Sequence, residues 1–187
     1  MAVNALKAEL ELLLAYKESR VRIGTLCVKQ NKLPELIELC RPESGVSHQA
    51  CWCLEQSFLL FEADCYPHLK EICELYPLKI NHSGMRSLCK LCFLLSKAYY
   101  GKRPHPVKEL LSIEMREQLV EGVFDELLTA YGKSANLAFS TNALYLLGTE
   151  FGWIHEAMPA IIEQHIMNPD NKGYKSTGGK TLQKLQR

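Results

Sequence analysis

Apolar residues return along most of this chain at intervals of three and four, the spacing that gathers side chains on one face of an α-helix. Ala50, Leu54, Phe58 and Phe61 form one such stripe, and Leu88, Leu91, Cys92, Leu95 and Tyr99 form a cleaner one. A third runs through Leu119, Val123, Leu127 and Tyr131, with Glu117, Glu121 and Asp125 on a wet side. The pattern predicts about nine helices of roughly 8–18 residues, over 5–16, 19–30, 34–41, 48–61, 67–76, 84–100, 112–131, 134–151 and 156–166. Ser19 and Ser112 are N-cap candidates, and Pro34 and Pro67 suit first-turn positions. Pro159 is tolerable only in the first turn of the ninth helix. Trp52 and Leu59 fall off the main stripe of 48–61, so that helix is apolar on much of its girth and should be sandwiched between others.

Composition agrees with this reading. The 187 residues include 30 Leu and 13 Ala against 7 Val, 9 Ile and 6 Thr. Leu and Ala lose little freedom in a helix, whereas β-branched side chains are stiff there. The expected fold class is all-α, and short loops make neighbouring helices antiparallel. Ala50–Leu60 (ACWCLEQSFLL) and Ser87–Ser96 (SLCKLCFLLS) are alike in size pattern and begin 37 residues apart, with Asn142–Phe151 a looser echo. HEAT-type repeats have periods of about 40–47 residues, so an α-α superhelix of stacked pairs is expected, with a compact bundle as the competing arrangement. Residues 1–168 read as one domain. Residues 169–187 are basic, with two adjacent glycines, Gly178 and Gly179, and read as a tail or an exposed terminal helix from about Lys180.

Net charge is +1, so the whole chain is no electrostatic magnet for nucleic acid or anionic lipid. The N-terminal apolar stretch is broken by Lys7, Glu9 and Glu11, unlike a signal peptide, and no stretch is long enough to span a bilayer. A cytoplasmic location without membrane contact is expected. The eight cysteines then stay reduced, and six of them (Cys27, Cys51, Cys53, Cys73, Cys89, Cys92) read as core residues.

No residue set dictates a reaction, a cofactor or a metal. Cys89 and Cys92 make a lone CxxC without the further ligands that zinc needs. Gly178-Gly179-Lys180-Thr181 resembles the end of a phosphate loop but lacks the earlier glycine, since position 174 is Tyr. Arg20, Arg22, Arg86 and Lys90 lie near helix starts, where they could meet phosphates or carboxylates, or pair with nearby Glu. Glu55, among Trp52, Leu54 and Phe58, needs a partner if buried, and Arg86 is the candidate. His155 sits at a helix start, suited to a cap or to packing.

Several stretches resemble a family of short bacterial α-helical-repeat proteins with a HEAT- or armadillo-like fold: ACWCLEQ (50–56), GMRSLCKLC (84–92), AYYGK (98–102), REQLVEGVFDELL (116–128), ALYLLGTEFGWIHE (143–156) and GYKS (173–176). The likeness covers most of the chain and includes Trp52, Arg86, Trp153, His155 and Tyr174. It implies no catalytic residues. Family members sometimes carry the label adenylosuccinate lyase, an enzyme with a Met-Pro-Lys-Asn signature; here Met158-Pro159 is followed by Ala-Ile-Ile. The stacked-pair reading, with its balanced charge, leads to the expectation of a binding scaffold, monomeric or weakly dimeric, that takes an unidentified protein or peptide on a concave surface. Binding residues would be drawn from Arg20, Arg22, Trp52, Glu55, Arg86, Lys90 and His155. Nucleic-acid contact through the basic members and the tail is the alternative, and a lyase the third reading.

Overall fold

Helix-forming composition and capping decide where each element begins and ends. The computed structural model describes residues 2–186, with side chains described from residue 5 to residue 186. Among them every regular element is helical and no strand occurs, so the protein is all-α. The chain divides into two compact units, Met1–Leu88 and Cys89–Arg187.

The first unit holds α1 (Ala2–Glu11), α2 (Lys17–Lys29), α3 (Leu33–Leu39), α4 (Ser47–Leu60), α5 (Glu62–Cys65), α6 (Leu69–Cys73) and the start of α7 (His82–Tyr99). Helix α1 is shorter than the apolar run predicted. Leu6 and Leu10 are buried, but Leu12, Leu14 and Tyr16 are 82%, 63% and 66% exposed, so no packing carries the helix past Glu11. Helix α2 starts at Lys17 rather than at a Ser19 cap, and the Arg20 guanidinium donates back to the Ala15 and Tyr16 carbonyls. Pro34 stands in the first turn of α3, where its missing N–H is no loss.

Helix α4 is the hub of this unit, packed on α2 and α3. Its Ala50, Cys51, Cys53, Leu54, Glu55, Gln56, Ser57 and Phe58 are all buried. Gly24 explains the closeness of α2: a Cβ there would lie 2.7 Å from the Cys53 carbonyl oxygen. Ser57 Oγ seals the contact, 3.1 Å from the Gly24 carbonyl.

The second unit contains the rest of α7, α8 (Val107–Leu110), α9 (Ile113–Thr129), α10 (Ser134–Leu147), α11 (Trp153–Met167) and α12 (Lys175–Leu185). Helices α9 and α10 pack together across a four-residue link (130–133), and α11 packs on α12, so each pair runs antiparallel. Ser112 Oγ caps α9 by accepting from the Met115 amide at 3.3 Å. Helix α11 begins at Trp153, three residues earlier than expected, so Pro159 lies inside it. An interior proline gives up one helical bond; burial of Ile154, Met158 and Ile162 holds the helix together around it.

Residues 175–185 form a helix, the second of the two readings of this segment, and it begins at Lys175 rather than about Lys180. Glycine reads as a helix breaker in sequence, but Gly178 is a close-packing position. A Cβ there would meet the Tyr174 ring at 3.0 Å and Ile162 at 3.1 Å. Tyr174 is itself fully buried, its hydroxyl 2.6 Å from Thr141 Oγ1.

All eight cysteines are reduced and buried. Desolvation pushes the thiols of Cys27, Cys53, Cys65 and Cys73 up to about 12. Cys40 is also raised, by burial first and by its contact with Cys51. No described helix is long and apolar enough to cross a membrane.

Candidate functional site

Within the first unit the fold gathers several of the residues singled out from sequence. Trp52 projects from α4 toward the first turn of α7, where its indole N–H donates to the Ser83 carbonyl at 3.1 Å. Arg20 of α2 lies 5.5 Å from the centre of the Trp52 ring, and His48 meets that ring edge-on at 4.9 Å. Burial lowers the pKa of His48. One helical turn along α4, Glu55 is 3% exposed. Its Oε2 accepts from Ser87 Oγ at 2.6 Å, and Arg86 stands 3.9 Å from the same oxygen. Arg86 thus reaches Glu55 as the sequence suggested, but the shorter bond comes from Ser87, which sequence reasoning passed over.

Each arginine of this cluster has a partner within the chain. Arg20 caps carbonyls. Arg22 pairs with Glu9 at 3.3 Å, and Arg86 faces Glu55. Lys90 belongs to the second unit. His155 packs within the second unit: its Nε2 donates to the Tyr145 carbonyl at 2.8 Å, its ring stacks on Tyr145, and it fills the space a Cβ on Gly148 would need. Among the described residues no three His, Cys, Asp or Glu side chains come together as a metal-binding set. Cys89, half of the CxxC pair, accepts from Ser140 Oγ at 3.3 Å inside the core.

The second unit carries two features that were not read from sequence. One is a clasp around Arg116, which is 7% exposed. Its Nε and Nη2 donate to the two oxygens of Glu150 at 2.9 and 2.7 Å, and Nη1 donates to the Leu111 carbonyl. The guanidinium covers the Tyr99 ring at 4.3 Å, and Tyr100 donates to Glu150 at 2.6 Å. These donors, Arg116 foremost, hold the Glu150 carboxyl below the usual carboxylate range. Arg116 lies three and four residues before the buried Leu119 and Val120, the spacing that could have flagged it.

The other feature is a groove of about 440 Å³ along α9. Val120, Phe124 and Leu128 give its floor at four-residue spacing. Phe151, from the turn after α10, and Trp153, the first residue of α11, make the far wall. Trp153 meets Phe124 edge-on at 5.0 Å yet stays 50% exposed, and Leu128 is 42% exposed. Glu117, Glu121 and Asp125, the wet side of the predicted stripe, form the rim. Periodicity marked these acids as solvated; only the fold shows that Phe151 and Trp153 come to lie beside them.

Comparison with protein-family models, with curated proteins and with solved structures gave no match.

Proposed function

We propose that this chain is a non-catalytic helical-repeat binding module that holds a segment of another protein. The observation that carries this reading is the groove on α9. Aromatic and aliphatic side chains line it, its volume lies in the range of specific ligand clefts of about 300–1,000 Å³, and its Leu128 and Trp153 are exposed to solvent. Aromatic anchors in a desolvating cleft are where binding energy concentrates in protein interfaces. The alternative of nucleic-acid contact has less support, because Arg20, Arg22 and Arg86 are each engaged within the chain. A lyase reading has less still: the His155 imidazole is engaged by the Tyr145 carbonyl.

The test is a titration of fluorescein-labelled amphipathic helical peptides with the purified chain, read by anisotropy. Saturable binding at roughly micromolar Kd, lost in Phe124→Asp with the helical circular dichroism unchanged, supports the module. Peptides that fail to bind, or that bind the variant as well as the parent, overturn it.

A further inference from the structure

The groove also says what kind of segment it takes. We infer that its occupant is a cationic amphipathic helix of a partner protein, with an apolar stripe flanked by lysines or arginines. This rests on the binding reading above and adds the chemistry of the partner.

Three observations carry it. First, Glu117, Glu121 and Asp125 stand at four-residue spacing on α9, so they form a line that rises about 6 Å per step along one edge of the apolar floor. All three are exposed, and among the described residues no cation pairs with them. Secondly, no lining residue is positively charged, so the groove presents one sign of charge beside grease. An anionic or neutral segment would leave that rim unmatched, whereas Lys or Arg can lay its aliphatic stem on Leu128 or Trp153 and bring its charge to a carboxylate. Thirdly, the floor is itself a helix surface, with Val120, Phe124 and Leu128 forming an i, i+4, i+8 ridge. Such a ridge interlocks with the ridges of another helix. Strand addition needs an exposed sheet edge, and the described residues include no strand.

Three peptides with the same leucine stripe and with Lys, Gln or Glu at the flanking positions separate this inference from the reading beneath it. Trp52→Phe leaves Trp153 as the one tryptophan, so its emission reports the groove alongside the anisotropy of the labelled peptide. At low salt the Lys peptide should bind about tenfold tighter than the Gln peptide, the sum of three exposed ion pairs, and the Glu peptide more weakly than both. The Lys advantage should fade in molar salt and vanish in Glu117→Gln/Glu121→Gln/Asp125→Asn. Equal binding of Lys and Gln peptides, or an advantage that survives the triple variant, overturns the cationic partner and leaves the module standing. No binding by any of the three to a folded chain removes the module itself. Concentration-dependent dimerisation by light scattering, with a shift of Trp153 emission before any peptide is added, would show the groove filled by a second copy and overturn the inference.

Discussion

Replacing Glu150 with Gln tests the clasp on Arg116. Removing one partner of a fully buried ion pair costs about 3–5 kcal/mol, because the other charge is left without compensation. Here the Glu150 side chain is 30% exposed, and Arg116 keeps the Leu111 carbonyl and the Tyr99 ring. Water therefore absorbs part of the loss, and the expected cost is about 1–2 kcal/mol at pH 7. The pH dependence carries the sharper signature. The folded pKa of Glu150 is depressed, so its stabilisation is full above the unfolded value of about 4.3 and is lost as pH falls through the folded value. The gap between parent and Glu150→Gln should be widest near neutrality and shrink below about pH 4. Urea unfolding in a Trp52→Phe background measures this, because Trp153 then reports the second unit alone. A gap below about 0.3 kcal/mol at pH 7 would refute the argument, given the usual size of surface effects of about 0.5 kcal/mol. So would a gap of the same size at pH 3.

Other expectations follow from single contacts. Gly179→Ala should stabilise the second unit by about 0.5–1 kcal/mol, since nothing lies within 4 Å of its Cβ position, whereas Gly178→Ala should bring no gain or a loss because of Tyr174 and Ile162; thermal melts of the two variants side by side check this. Gly24→Ala should cost about 1–3 kcal/mol by pushing α2 off the Cys53 carbonyl, read from the Trp52 emission transition in urea in a Trp153→Phe background. Asn171 is fully buried, its Oδ1 accepting from the Gly132 amide at 2.9 Å and its Nδ2 facing His165. Asn171→Ala should cost about 1–3 kcal/mol in a denaturant melt of the second unit. The buried, raised thiols should resist a disulfide reagent at pH 8 in the native chain and all eight should react in guanidinium; rapid native labelling would contradict the packing described.

The all-α class and most helix positions were legible in the sequence because packing there follows local periodicity. The stripe Ala50, Leu54, Phe58 is buried as read, and so are Leu88, Leu91, Cys92 and Leu95. What escaped depended on partners distant along the chain. Leu12 and Leu14 look like core residues until no surface is found to cover them. Gly178 looks like a breaker until Tyr174 and Ile162 leave room for a hydrogen atom only. Pro159 looks confined to a first turn until the buried residues on either side hold the helix across it. At the site level, Glu55 and Arg86 could be paired from sequence, but Ser87, the Arg116 clasp and the aromatic wall opposite Glu117, Glu121 and Asp125 could not. Each joins positions about 30 residues apart, as Arg116 and Glu150 show.

The partnering of helices with their successors bears on how the chain reaches its native state. Helix α4 covers α3, α10 covers α9 and α12 covers α11. Closing such short spans forfeits little chain entropy, and topologies rich in local contacts fold in microseconds to milliseconds. On a ribosome, where N-terminal segments emerge first, α2, α3 and α4 can bury their apolar faces against one another while the second unit is still being made. Greasy surface is then exposed to other proteins only briefly at each stage.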